Sequence, residues 1–211
     1  MTRIIKRTSA RRGFTLTEIA IVLGVIGAIT AGIWMVAGAA YQNQKVEKAQ
    51  QQIMKIAHTV RSMYMTHGTI AAADYTGNFI SMGNIFPSDM VVGTTTVNPW
   101  GTVSNEPNES KGNGVTVESA TNSWACGGAG TSGFTIVYWQ IPSSACAGIL
   151  MSLAGPAALA NGINCIYSDG FNSAPTPGGI TDITGLSNGT YDSEIQNYCS
   201  GNVAIGFNIR G

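Results

Sequence analysis

From Ile19 to Ala40 the chain runs for 22 residues without a charge. About 20 residues at ~1.5 Å rise cover a ~30 Å hydrocarbon core, so this run predicts a helix able to span a bilayer. A cleavable secretory signal has an apolar region of only roughly 7–15 residues. Beyond Ala40 the pattern turns amphipathic: Val46, Ala49, Ile53, Ile56, Val60 and Met63 recur at steps of three and four, with Ala57 and Tyr64 beside them. That is one helical stripe, expected to pack on the chain's own domain. Lys45, Lys48, Gln52, Lys55, Thr59 and Ser62 lie away from it, and no proline precedes Pro87. One helix is therefore expected from about Phe14 to about Thr66, roughly 80 Å long. His67-Gly68 supplies a basic residue and a C-cap glycine as its stop. Gly24, Gly27, Gly32 and Gly38 each cost up to about 1 kcal/mol relative to Ala in a helix interior. Gly24 with Ala28 fits a small-residue packing face, and Gly32 and Gly38 are candidate points of bending.

Between Gly68 and Gly133 the chain is rich in Gly, Asn, Thr and Ser, which predicts a long connecting region with short strands. Phe79, Ile80, Ile85, Phe86, Trp100 and Trp124 recur too often there for a fully solvated tract. Val115-Thr-Val117 alternates like a half-buried strand, and Phe134 to Ile141 has the strongest β-branched and aromatic content in the chain. After a turn at Pro142, Ser143 and Ser144 are N-cap candidates for a short helix through Leu153. Val203 to Ile209 reads as a last strand. There is no internal repeat.

Composition narrows the class. The chain has 211 residues, 44% hydrophobic and 10% charged, with 27 Gly. Soluble domains carry roughly 25% charge, so this chain is too apolar to be disordered and too weakly charged for a coiled coil. Its zero formal charge speaks against nucleic-acid binding. That zero hides two unlike parts. Arg3, Lys6, Arg7, Arg11 and Arg12 crowd the first twelve residues, whereas residues 14–211 keep six Lys and Arg against eleven acids, a formal −5. Basic residues ahead of an apolar run place that end in the cytoplasm.

Cys126, Cys146, Cys165 and Cys199 form an even set in a segment expected across the membrane from the basic end, which reads as two disulfides with three possible connectivities. A zinc site is the rival, but spacings of 20, 19 and 34 match no finger or ribbon pattern. No catalytic constellation emerges. His58 and His67 lie on or at the end of the long helix, away from any nucleophile. Asp182, Asp192 and Glu194 read as a solvated loop rather than a cation site. Gly127-Gly128-Ala-Gly130 lacks the Gly-Lys-Ser/Thr ending of a phosphate loop. Neither metal nor cofactor is expected.

Glu18 stands immediately before the apolar run, in Arg11-Arg12-Gly13-Phe14-Thr15-Leu16-Thr17-Glu18. Its carboxylate lies just outside the membrane or is drawn in and needs a partner, since intramembrane acids cost ~2.5–3.5 kcal/mol on insertion scales. Basic leader, Gly, Phe, Thr-Leu-x-Glu and a long apolar helix together resemble the prepilin signature of type IV pilins and type II secretion pseudopilins. Asn98-Pro99-Trp100-Gly101, the strand leading into Ile141-Pro142-Ser-Ser-Ala-Cys146, and a late Cys at 199 resemble the type IVb thin-pilus group of conjugative plasmids and enteric bacteria. The mature length of 198 residues and the long leader favour that group; Phe14 is more typical of type IVa. A helix proline carried by many pilins is missing.

The resemblance implies an α+β pilin fold, a long N-terminal helix on an antiparallel sheet with a disulfide-tied C-terminal region. It divides the chain into a leader at 1–13, an apolar half-helix at 14–40, an amphipathic half-helix at 41–67 and a globular head at 68–211. An inner-membrane prepilin peptidase would cut between Gly13 and Phe14 and methylate the new amino group of Phe14. Glu18 would act in assembly. Cys146 would pair with Cys199, leaving Cys126 for Cys165. The implied partners are copies of the chain, the peptidase, an inner-membrane platform protein, an assembly ATPase and an outer-membrane secretin. The chain would pass from the bacterial inner membrane to an extracellular filament serving adhesion, aggregation or mating contact. A minor pilin or a pseudopilin is the near alternative, and a membrane-anchored periplasmic enzyme or binding domain the distant one.

Overall fold

The structure, a computed structural model, describes residues 13–64, 74–102, 112–119, 133–153, 163–170, 199 and 203–210. Two compact units divide between Tyr41 and Gln42. Helix α1, Leu16–Tyr64, runs through both.

In the first unit α1 carries its apolar residues uncovered. Ile19, Ile21, Leu23, Ile29, Ile33 and Val36 are all at least half exposed. Nothing lies within 4 Å of a Cβ placed at Gly24, Gly27, Gly32 or Gly38. The small-residue face at Gly24 is thus open. By length and composition this helix can cross a membrane.

The second unit is α+β. After α1 come α2 (Thr76–Met82), a 3-10 turn (Ser88–Met90), a hairpin of β1 (Val91–Val92) and β2 (Thr95–Thr96), β3 (Val115–Ser119), β4 (Gly133–Ile141), α3 (Ser143–Leu153), β5 (Ile163–Gly170) and β6 (Val203–Arg210). The region expected to be a connection with short strands therefore also contains a helix. Thr76 opens α2 against Asp74, whose Oδ1 accepts the Thr76 N–H at 2.8 Å, and Gly83 ends it at φ 73°. Glycine takes that left-handed conformation without a Cβ clash.

The main sheet is antiparallel in the order β3-β4-β6-β5. The last strand of the chain thus lies inside the sheet, between β4 and β5. The outer edge of β3 is occupied: Val117 donates to Thr76 Oγ1 at 3.0 Å, Val115 donates to Thr96 Oγ1 at 3.0 Å, and Tyr75 N–H reaches the Val117 carbonyl at 3.0 Å. Unpaired strand edges invite association, and here hydroxyls and a bridge at Asp74–Glu118 fill that edge.

Ala49, Ile53, Ile56, Ala57 and Val60 of α1 join Phe79, Met90, Phe134, Ile136, Tyr138 and Ile149 in one buried core. Two expectations are corrected. Met63, assigned to the stripe, is 39% exposed, whereas Gln52, assigned to the polar side, is buried because its amide reaches Asp89. The strand at Val115–Val117 is not half-buried either; all five residues of β3 are buried, and on its second face Trp139 Nε1 donates to Thr116 Oγ1 at 3.0 Å, while the Glu118 backbone bridges to Asp74. Helix α3 begins at Ser143, so the two serines lie inside its first turn. The N–H groups of Ala145 and Cys146 both donate to the Pro142 carbonyl at 2.9 Å.

Candidate assembly site

Residues 13–15 are non-helical, and Phe14 is 84% exposed. The helix starts where the local chemistry allows it to start. Its first N–H groups lack intrahelical acceptors, and Thr15 and Glu18 supply them reciprocally: Glu18 N–H donates to Thr15 Oγ1 at 3.3 Å, and Thr15 N–H donates to Glu18 Oε2 at 2.9 Å. Threonine at the N-cap with glutamate three residues later is a capping box. The Thr15 hydroxyl adds a third contact to the same oxygen at 2.9 Å. Oε1 carries no hydrogen bond among the described residues. Thr15 was not singled out from the sequence, although Thr-x-x-Glu before an apolar run is a readable cap signal.

Gly13 and Phe14 thus precede a fixed helix start, and Phe14, Glu18, Ile19, Val22 and Leu23 line one groove. The groove is wholly apolar, so Glu18 contributes its hydrocarbon stem to it beside Phe14 and the three aliphatic residues.

The second unit ties its own stretch of α1 to the head through polar contacts around the apolar core. Lys48 Nζ lies 2.6 Å from Asp89 Oδ2, and Gln52 Nε2 donates to the same oxygen at 3.3 Å. The Lys48 ammonium beside it holds the Asp89 carboxyl below its ordinary range. Burial pushes the Tyr138 hydroxyl well above its ordinary range, and the Asp89 charge acts in the same direction. Trp100 Nε1 donates to Gln42 Oε1 at 3.3 Å, and Gln50 donates to Ser152 Oγ at 2.6 Å. Gly148 admits Val46, whose methyls would stand 3.4 and 3.5 Å from a Cβ there.

Cys146 and Cys199 form a buried disulfide, with Cα atoms 5.6 Å apart. Cys126 lies outside the described residues, as does the side chain of Cys165, whose backbone is in β5. His67, Asp182, Asp192 and Glu194 also lie outside them, and His58 is exposed. Among the described residues no group of three or more His, Cys, Asp and Glu could hold a metal ion.

Fold and site together define an α+β protein with a capped, apolar N-terminal helix and a disulfide-tied sheet domain. Among solved structures the chain is similar to the type IV b pilin from Salmonella typhi, at 21% identity and a TM-score of 0.41, over 75% of this chain and 95% of that one. No protein-family profile and no curated protein matches it.

Proposed function

We propose that the chain is a prepilin, the precursor of a structural subunit that polymerises into an extracellular type IV pilus. The observation that carries this reading is the junction at residues 13–18. A non-helical Gly13-Phe14 pair, behind five basic residues, meets a Thr15–Glu18 cap that opens an uncovered apolar helix. A plain membrane anchor needs neither the Gly13-Phe14 boundary nor a carboxylate at the mouth of the helix.

In this reading residues 1–13 are the leader, removed by a prepilin peptidase that also methylates the Phe14 amino group. Residues 14–40 hold the subunit in the inner membrane and then form the filament core, residues 41–67 carry the head, and residues 68–211 face outward. A platform protein, an ATPase and a secretin complete the route. An uncompensated carboxylate in a low-dielectric core costs several kcal/mol, so Glu18 needs a cation there. The Phe14 amine lies four residues ahead of Glu18, at the mouth of the helix, and could meet it in the same chain or in the next copy. Glu18 Oε2 serves the cap, which leaves Oε1 for that amine.

Electron microscopy of cells making the chain with its assembly machinery, with gold-labelled antibody against the head, tests the proposal. Labelled surface filaments are the expected result, and labelling confined to the inner membrane would contradict it.

A further inference from the structure

Strand β4 contains an extra residue. Tyr138 pairs with Ile205 and Ile141 with Val203, three steps on β4 against two on β6. Within this bulge Gln140 has φ 51°, a left-handed conformation in which the Cβ of a non-glycine residue crowds the following carbonyl oxygen. Something has to hold it. The Asn98 side chain, 4% exposed, donates from Nδ2 to the Trp139 carbonyl at 2.7 Å. The Thr102 hydroxyl lies 3.2 Å from the Trp139 carbonyl and 2.9 Å from the Gln140 carbonyl. Asn98 Oδ1 in turn accepts the N–H groups of Trp100 and Thr102 at 3.0 and 3.2 Å, closing the turn. The turn lies flat on Gly114, where a Cβ would stand 2.5 Å from the Thr102 carbonyl oxygen and 2.6 Å from the Asn98 nitrogen.

Both disulfide arms leave the sheet from the rung just beyond this bulge. Cys146 follows Ile141 by five residues, and Cys199 precedes Val203 by four. Loss of the extra residue would slide one arm by about 3.3 Å along the strand. Disulfides accept Cα separations of only roughly 4.4–6.8 Å. We infer that Asn98 and Thr102 are positioning residues for the Cys146–Cys199 disulfide: they hold the Gln140 bulge, and the bulge sets the rung from which both cysteine-bearing segments depart. This explains why two segments far apart in sequence, 98–102 and 138–146, meet at one place. It does not depend on filament formation.

The test is oxidative refolding of the full-length chain in detergent. Reduced, unfolded protein is returned to detergent buffer with oxidised glutathione. The two thiols give up two protons and two electrons, so that their S–S bond forms as the glutathione S–S bond breaks into two thiols. Free thiols are then alkylated, and pairings are mapped by peptic digestion and mass spectrometry. Asn98→Asp keeps the acceptors of the turn, removes both donations from Nδ2, to the Trp139 carbonyl and to Thr102 Oγ1, and sets a carboxylate oxygen against that carbonyl. The ratio of Cys146–Cys199 pairing to all other forms should fall at least about tenfold, the factor that a single unsatisfied buried group sets. Thr102→Val should lower it in the same direction. Adding Gln140→Gly to Asn98→Asp should restore the ratio, because glycine adopts the bulge conformation without the clamp. Ile53→Val, which weakens the core elsewhere, should leave pairing native. Native pairing in both Asn98→Asp and Thr102→Val would overturn the inference, as would failure of Gln140→Gly to rescue or equal mispairing in Ile53→Val.

Discussion

Glu18 does two things in this account, and its two oxygens separate them. Oε2 closes the helix cap with Thr15, while the proposed function reserves the charge for an amine in the assembled state. Glutamine serves a capping box as glutamate does, so Glu18→Gln preserves the helix start and removes only the charge. Membrane insertion and leader cleavage should be unchanged, and surface filaments should be lost when counted by electron microscopy. Filaments at normal number in this variant would leave Glu18 as a cap alone. A second residue-scale prediction concerns Asp89. Its folded-state pKa is lowered, first by the hydrogen bond from Lys48. A lowered carboxyl pKa contributes stability that is present above the unfolded value, about 3.9, and is lost as pH falls through the folded value. The pair is half exposed on both sides, so its contribution is about 0–1 kcal/mol. Asp89→Asn should lower the melting temperature slightly at neutral pH, and the difference from wild type should vanish once Asp89 is protonated. A difference that persists undiminished at acid pH would show that the ion pair is not its source.

At the scale of elements, the division between Tyr41 and Gln42 predicts that a fragment starting near Tyr41 folds as a soluble monomer when made in an oxidising compartment. Within it, Cys146→Ser with Cys199→Ser should cost about 2–5 kcal/mol, measured by thermal unfolding. An unchanged melting temperature would mean that the bond does not hold β6 in the sheet. The elements that hydrophobic period reveals were legible in the sequence: α1, β4, α3 and β6 lie within a few residues of their expected bounds. Helix α2 was not legible, because Thr76-Gly-Asn-Phe-Ile-Ser-Met offers only one turn of apolar spacing around an interior glycine. Its cap at Gly83 was the available signal. Strand β5 was hidden by a bulge between Ile163 and Cys165 that breaks the alternation. Gln52 was misplaced because it borders the apolar stripe, and only Asp89, 37 residues away, explains its burial. At the candidate site Glu18 stood out as a carboxylate beside an apolar run, whereas the role of Thr15 lay in a hydrogen-bond pair that hydropathy does not register.

For the whole molecule, the two units bury their apolar residues differently. The described part of the first unit leaves its apolar side chains uncovered on a helix long and apolar enough to cross a membrane, and the second buries its own core. Loss of residues 1–13 would remove five positive charges and change the formal charge from zero to −5. In the proposed function these are the residues that hold the N-terminus on the cytoplasmic side, and their removal would set the new amine at Phe14 beside Glu18. The most direct measurement is the intact mass of subunits dissociated from purified surface filaments. The expected mass is that of residues 14–211 with two disulfides and one added methyl group. Assembled subunits that still carry Met1–Gly13, or filaments without this chain, would contradict the account.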